Sequence, residues 1–229
     1  ATILHGLTAP TLRAIVCEKP LANTSAEAKS VVACCASQGV GLFINYIRRS
    51  TPGAELVRYF AREVSTHQLP HAGATFAGDL MHSGIHMVDL LEFLLGPIRF
   101  AHPAHSPAGS RGSQHMTIFF GHEGGTSSLS QVPQASPAYS VSIRGEPGHM
   151  VFAPDNSDRV TWASLESGAG LELGGWSEPL GLARYQRYFY AELERHLTLG
   201  SSVLASGESG RRHISIIETV QRGEQWSVP

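Results

Sequence analysis

The chain has 229 residues, a formal net charge of −2 and a hydrophobic share of 42%. That length is enough for one large domain or two small ones with a substantial core. The charge balance argues against a nucleic-acid partner, and the lack of a long apolar run or signal-peptide pattern argues against a membrane partner. Three cysteines do not make a disulfide framework, so we expect a cytoplasmic protein.

The first part of the chain predicts a parallel βαβ unit. In order, the pattern predicts a helix over 2–12, a strand over 13–17, a helix from 24 to 39, a strand over 40–46 and a helix over 51–62. The middle helix begins with a capping box, Thr24 to Glu27, and ends at Gly39. A strand, a helix and a strand within about thirty residues are typical of parallel pairing.

The residue composition and the predicted secondary structure change after Arg62. Residues 72–79 are rich in alanine and glycine and predict a flexible segment. The segment 82–96 predicts a helix that is apolar nearly all round, and is therefore expected to be buried between two layers. From 98 to 177 short apolar runs broken by turns predict an antiparallel sheet, followed by closing helices over 180–199 and 208–221.

The stretch VCEKPLAN places Glu18, Lys19 and Pro20 directly after the first strand. A buried parallel strand delivers polar side chains to a pocket at its carboxyl end, so this corner is a candidate site. A strand that ends in a solvated salt bridge explains the same residues equally well. The corner alone does not decide between these interpretations.

Three ordered motifs resemble the glucose–fructose oxidoreductase/inositol dehydrogenase family, written Gfo/Idh/MocA. They are CEKPLANTSAEAKSVVACCASQGV with FINYIRR, then GDLMHSGIHMVDLLEFLLG, then FYAELERHLTLGSSVLASGESGRRHISIIETV. The family joins a dinucleotide-binding domain to an α/β domain and oxidises or reduces sugars and cyclic polyols. Three motifs in this order make a specific signal.

The resemblance implies an α/β plus α+β fold. We expect a partial Rossmann-like parallel sheet over residues 1–62, the remnant of a dinucleotide-binding domain. Residues 63–229 are expected to form a substrate and oligomerisation domain with an open, mostly antiparallel sheet flanked by helices. The closing helices, 180–222, are expected to pack back on the first domain.

The resemblance also implies catalytic residues. Lys19 matches the lysine between nicotinamide and substrate hydroxyl, and His86 matches the acid/base histidine. The position four residues earlier, usually an aspartate, is His82 here. A spacing of four on an α-helix puts both histidines on one face, and a histidine suits proton removal near neutral pH. For His82 a functional and a structural role are equally open, and Asp89 is expected to brace local backbone.

The cofactor implied by the resemblance is NAD or NADP, held by Glu18, Lys19, Pro20, Tyr46 and Arg48. For Tyr46 and Arg48 a solvated loop is an equal alternative. A dinucleotide site needs a glycine-rich turn after a first strand, and this sequence has no GxGxxG. The chain begins in mid-fold at Ala1, so we expect it to lack the front half of the cofactor domain.

No metal is expected. His82 and His86 have a spacing able to chelate zinc, but residue 83 is serine, so the HExxH motif is missing. His67 and His71 are candidate third ligands by proximity in sequence alone.

Three functions fit these residues. The first is an NAD(P)-dependent oxidoreductase acting on a sugar or cyclic polyol. The second is a truncated, cofactor-independent relative that uses Lys19, His82 and His86 for proton transfer as an epimerase, lyase or cyclase. The third is a non-catalytic dimeric binding protein. In each case a homo-oligomer, dimer or tetramer, is expected through the open sheet, which would otherwise expose an apolar patch.

Overall fold

The computed structural model describes residues 11–64, 70–105, 116–133, 139–145, 148–153, 159–164, 170–174 and 182–228. The helices are Ser25–Ser37 (α1), Pro52–Tyr59 (α2), Ile85–Leu95 (α3), Leu182–Leu199 (α4) and Gly207–Gln221 (α5). A 3-10 turn covers Ile47–Ser50, and π-helical turns cover Phe60–Val64 and Leu80–Gly84. The predicted helix over 2–12 lies almost wholly outside the described residues.

The strands are Ala14–Cys17 (β1), Gly41–Ile44 (β2), His71–Ala77 (β3), Ile98–His105 (β4), Met116–His122 (β5), Gly125–Val132 (β6), Ser140–Gly145 (β7), Gly148–Ala153 (β8), Arg159–Ser164 (β9), Gly170–Gly174 (β10), Ala205–Ser206 (β11) and Trp226–Ser227 (β12). They lie where the sequence predicted them, except for three that the sequence did not predict, β3, β11 and β12.

The predicted βαβ unit is present. Strands β1 and β2 are parallel, with Cys17 opposite Ile44, and β11 pairs antiparallel with β2. Thr24 caps α1, because its hydroxyl accepts a hydrogen bond from the backbone N–H of Glu27. The two strands therefore end side by side, and the residues that follow each strand lie at one edge of this sheet.

The larger sheet has the order β10-β9-β8-β7-β3-β6-β5-β4-β12. Its pairs are antiparallel except that β3 runs parallel to β6. The prediction of a flexible segment over 72–79 was wrong, because residues 71–77 form the strand between β7 and β6. The fold class, a partial parallel sheet followed by a mostly antiparallel sheet with helices, is confirmed.

Helix α3 is buried over its whole length, as its uniform apolar character predicted. It contacts β3, β6 and α5, so it lies between the large sheet and the closing helix. Helix α5 also packs on α1, where the backbone N–H of Ser25 donates to Glu218. These contacts join the two sheets around one core, and the domain division at residue 62 stays a prediction.

The sheet face away from α3 carries many small and polar side chains. Pairs of hydroxyl groups contact each other across strands, as in Thr117 with Ser130 and Thr75 with Ser140, both at 3.0 Å. Phe100 and Phe119 are the large apolar side chains exposed on its described part. On the described part of this face serine and threonine take alternate positions along the strands, and oligomerisation through it stays a prediction.

Among the described residues, no helix combines the length and the apolar character needed to cross a membrane.

Candidate active site

The site begins at the carboxyl ends of β1 and β2. Glu18 and Asn45 each follow one of these parallel strands, and Asn45 Nδ2 donates a 2.6 Å hydrogen bond to Glu18 Oε1. The backbone N–H of Asn45 also donates to Cys17 O at 2.8 Å, which continues the ladder by one residue. Glu18 therefore braces the strand ends, and the next residue, Lys19, is presented at this edge.

Lys19 does not end in the solvated salt bridge that the alternative interpretation required. Its ammonium group donates a 2.5 Å hydrogen bond to the carbonyl oxygen of His82. Partial burial lowers the pKa of Lys19, and the nearby Arg48 charge lowers it further, while Glu18 and Asp79 oppose the change. The ammonium is thus tied to the turn before α3.

The turn that meets Lys19 is π-helical, over Leu80–Gly84. Gly78 has a positive φ of 88°, and Asp79 then caps the turn by accepting a 2.8 Å hydrogen bond from the backbone N–H of His82. A Cβ on Gly84 would lie 2.5 Å from a Leu80 methyl carbon and 3.2 Å from the Phe76 ring, so a larger residue would force these side chains to shift. Single π-helical turns are frequent at functional sites because they re-aim side chains.

The two histidines lie in different environments. The side chain of His82 is 69% exposed, and its Nδ1 lies 2.9 Å from Asp79 Oδ1. His86 is 8% exposed, and its Nδ1 has no hydrogen-bond partner. Burial lowers the pKa of His86 well below its ordinary value, and the Arg48 and Lys19 charges lower it further. The α-helical spacing assumed for the pair does not apply, because His82 lies in the π-helical turn and His86 lies in the α-helix that follows.

Tyr46 and Arg48 do not form a solvated loop. Tyr46 is 1% exposed, and its ring meets the ring of His86 edge-on at 5.9 Å between centroids. Burial and the Asp89 charge raise the pKa of Tyr46 well above its ordinary value. Arg48 is also buried, with its guanidinium 4.3 Å from the centre of the Tyr139 ring. Both side chains therefore form the inner wall of the site, and a cofactor contact by either stays a prediction.

Behind this wall lies a buried charge cluster that was missed in the sequence apart from Asp89. Arg49 lies 3.5 Å from Asp89, and Glu92 contacts Arg212 and lies 3.4 Å from His213 Nε2. Burial raises the pKa of Asp89 to about 6. Burial acts in the same direction on Glu92, but His213 and Arg212 outweigh it and hold its pKa at about 2.

The signal that could have found this cluster was present in α3. Asp89 and Glu92 are charged residues inside an otherwise apolar helix, and buried charges require partners. The partners were not predictable, since Arg49 and His213 lie far away in the sequence and meet α3 only after folding. Asp89 does not simply brace local backbone as expected, because it faces Arg49.

The residues that the structure describes contain no group of three histidine, cysteine, aspartate or glutamate side chains placed to hold a metal ion. His71 lies on β3, where its Nδ1 contacts Thr126 Oγ1 at 2.9 Å, and His67 lies outside the described residues.

A separate cavity of about 290 Å³ lies at the carboxyl end of α3. Arg62 spans it and donates hydrogen bonds to the backbone oxygens of Phe93 and Leu94. No predicted site residue lines this cavity.

Comparisons with known proteins add to this geometry. No protein-family model matches the chain. A levoglucosan dehydrogenase, solved in complex with NADH and levoglucosan, superposes with a TM-score of 0.76 at 17% identity, covering 99% of this chain and 76% of that one. The chain has the fold of the Gfo/Idh/MocA oxidoreductases. The resemblance read from the three motifs is thereby confirmed at the level of the fold.

Two further proteins resemble this chain. An aldose-aldose oxidoreductase from Caulobacter crescentus, complexed with glycerol, gives a TM-score of 0.75 at 17% identity, covering 99% of this chain and 75% of that one. A D-apiose dehydrogenase from Paraburkholderia graminis is 27% identical over 168 residues, 62% of this chain. The match spans 45% of the length of that curated relative.

Proposed function

We propose that the protein is an oxidoreductase that interconverts a carbinol and a carbonyl on a sugar or cyclic polyol, with NAD or NADP as the redox partner. The observation that carries the proposal is the hydrogen bond from the Lys19 ammonium to His82 O, which unites the parallel strand ends with the histidine-bearing turn. The dehydrogenases and oxidoreductases that share the fold support it.

Each residue has a distinct task in this proposal. Loss of a hydroxyl proton leaves negative charge on the substrate oxygen, and the Lys19 ammonium is a donor placed to stabilise that charge. A histidine, either His82 of the π-helical turn or His86 of α3, accepts the proton. Tyr46 and Arg48 close the inner side of the site and exclude water from it.

The fit to a nicotinamide nucleotide is partial. A bound nucleotide of this kind supplies the hydride acceptor or donor. The corner of Glu18, Lys19 and Pro20 fits the end where substrate and nicotinamide meet, because Lys19 offers an ammonium beside a buried histidine with an unpartnered nitrogen. The 229 residues contain no glycine-rich turn for the pyrophosphate, so this sequence does not provide the other end of the site.

The direct test is a turnover screen of the intact protein. Aldoses and cyclic polyols are offered with NAD⁺ or NADP⁺, and the absorbance of the reduced nucleotide is followed. Turnover of at least one sugar or polyol is expected, and its loss in Lys19→Ala would tie the activity to this corner. No turnover of any member of the panel with either nucleotide would contradict the oxidoreductase proposal.

A redox-neutral reaction is the second candidate, favoured by the missing glycine-rich turn and by histidine at position 82. Lys19, His82 and His86 would then move a proton at carbon next to a carbonyl, as in an epimerase, lyase or cyclase. Incubation of the same sugars in D₂O without nucleotide separates the two candidates. Deuterium incorporation at carbon, followed by NMR, favours this one; nucleotide-dependent turnover without incorporation rules it out.

Assembly and location are also part of the proposal. A homo-oligomer formed through the open sheet would bury the exposed rings of Phe100 and Phe119. It would also bring the serine and threonine side chains around these rings, such as Thr117 and Ser130, against the second copy. Phe119→Glu is expected to reduce the mass measured by light scattering to that of a monomer, and an unchanged mass would contradict this interface.

The free thiols of Cys17, Cys34 and Cys35 fit the reducing cytoplasm, which cell fractionation would test.

A further inference from the structure

Asp79 and His82 make a two-point contact that no motif predicted. Asp79 Oδ1 accepts from the backbone N–H of His82 at 2.8 Å and lies 2.9 Å from the ring Nδ1 of the same residue. The first contact is an ordinary helix cap. The second is not required for capping, and it fixes the orientation of the His82 ring.

The ionisation of Asp79 determines which ring nitrogen holds the proton. Burial acts to raise the pKa of Asp79, but the hydrogen bonds from His82 outweigh it and lower the pKa below its ordinary value. A carboxylate only accepts, so Nδ1 of His82 must donate, and in the neutral ring Nε2 keeps its lone pair. Asp79 thus makes Nε2 the basic nitrogen of this histidine.

The position of the ring matches this chemistry. The carbonyl oxygen of His82 accepts the hydrogen bond from the Lys19 ammonium, so the cation lies against the turn that carries the base. The His82 side chain is 69% exposed, so its ring is accessible to a ligand.

His86 is a poorer proton acceptor in the same site. Its side chain is buried, and the charges of Arg48 and Lys19 both oppose a cation there. The His82 ring is exposed, and the Asp79 carboxylate lies 2.9 Å from its Nδ1.

We infer that His82, positioned by Asp79, is the group that takes the hydroxyl proton of the substrate, and that the buried His86 is part of the wall. The inference rests on the proposed function for its substrate, a sugar or polyol carbinol. In the step, the O–H bond breaks, its electron pair stays on the oxygen beside the Lys19 ammonium, and the proton binds Nε2. Asp79 is a positioning residue, because it acts through the ring of His82.

The tautomer of His82 tests the pairing directly. Long-range ¹H–¹⁵N spectra of the intact ¹⁵N-labelled protein are recorded at about pH 8, above the ordinary histidine pKa. His82→Gln assigns the signals. The expected result is protonated Nδ1 and unprotonated Nε2. A His82 ring protonated at Nε2 in the parent protein would overturn the inference.

Asp79→Ser separates capping from positioning. Serine is as good a helix cap as aspartate, but its side chain is too short to reach the ring. In this variant the His82 signals are expected to move toward the Nε2–H tautomer, while those of His71, which contacts Thr126, stay unchanged. Unchanged His82 signals would contradict the role of Asp79.

Kinetics test the catalytic part. Asp79→Ser is expected to lower kcat about 10- to 100-fold with KM nearly unchanged, and His82→Gln to lower it about 100-fold or more. Wild-type kcat in either variant would overturn the inference. A parent protein without any turnover would count against the proposed function instead, whereas the spectra decide the pairing in either case.

Discussion

The ammonium of Lys19 lies 2.5 Å from the carbonyl oxygen of His82, so the end of β1 and the turn before α3 share a hydrogen bond across 63 residues of sequence. This contact brings together two motifs that the sequence could only place in order. The candidate site is therefore a property of the fold rather than of either motif.

Lys19→Ala is expected to reduce turnover of the true substrate about 100-fold or more, because the donor to the developing oxygen charge is lost. The free energy of unfolding should change by less than about 1 kcal/mol, since Lys19 is only partly buried. Lys29→Ala, which removes an exposed lysine of α1, is the matched control and should leave both quantities unchanged. Equal turnover in the two variants would show that Lys19 has no role in catalysis.

Gly84→Ala is expected to destabilise the protein by about 1–3 kcal/mol, because the new methyl group overlaps Leu80 and presses on Phe76. Gly73→Ala is the control, since a Cβ there meets nothing within 4 Å. Urea unfolding of both variants measures the difference. Equal midpoints would show that the π-helical turn is not tightly packed against β3.

Asp89 makes stability fall with rising pH. Its pKa is about 6 in the folded protein against an ordinary value of 3.8, so the folded state binds the extra proton between these values. The free energy of unfolding should lose up to about 3 kcal/mol from this group as the pH rises from about 4 to 6. Asp89→Asn is expected to remove that loss in urea titrations at stepped pH. The control Glu194→Gln, at an exposed position, should keep the loss of unfolding free energy between about pH 4 and 6. If Asp89→Asn showed the same dependence of unfolding free energy on pH as the parent, Asp89 would not be its source.

Glu92 acts in the opposite direction and at lower pH. Its pKa is about 2 against an ordinary 4.5, so its stabilising effect is present above about 4.5 and is lost as the pH falls toward 2. The effect amounts to about 3 kcal/mol. Glu92→Gln should therefore be less stable at neutral pH and show a flatter acid-unfolding curve by circular dichroism. Parent-like stability at neutral pH would mean that Arg212 and His213 do not need this partner.

Local patterns predicted the elements that carry their own signals. The cap at Thr24 and the uniform apolar run of α3 depend on neighbours in sequence, so both were predictable. Strand β3 was not predictable from its own sequence, because alanine and glycine are typical of a flexible segment and the strand is stabilised only by the packing of α3 over it. Small residues there allow the helix close approach, which only the tertiary fold reveals.

The candidate site was predictable in part for the same reason. The positions of Lys19 and His86 came from motifs. The burial of His86 and the pairing of His82 with Asp79 depend on the π-helical turn, which spacing rules for an α-helix do not anticipate. The Arg49–Asp89 pair joins segments forty residues apart and has no local signature.

Binding of a nicotinamide nucleotide to the intact protein tests the central claim most directly. NADH and NADPH are each titrated with protein while nicotinamide fluorescence is followed, for the parent and for Lys19→Ala and Lys29→Ala. The account predicts a saturable change for the parent and for Lys29→Ala, and an altered or lost change for Lys19→Ala. No saturable change with either nucleotide at concentrations up to about 1 mM would contradict a dehydrogenase-type pocket at Lys19.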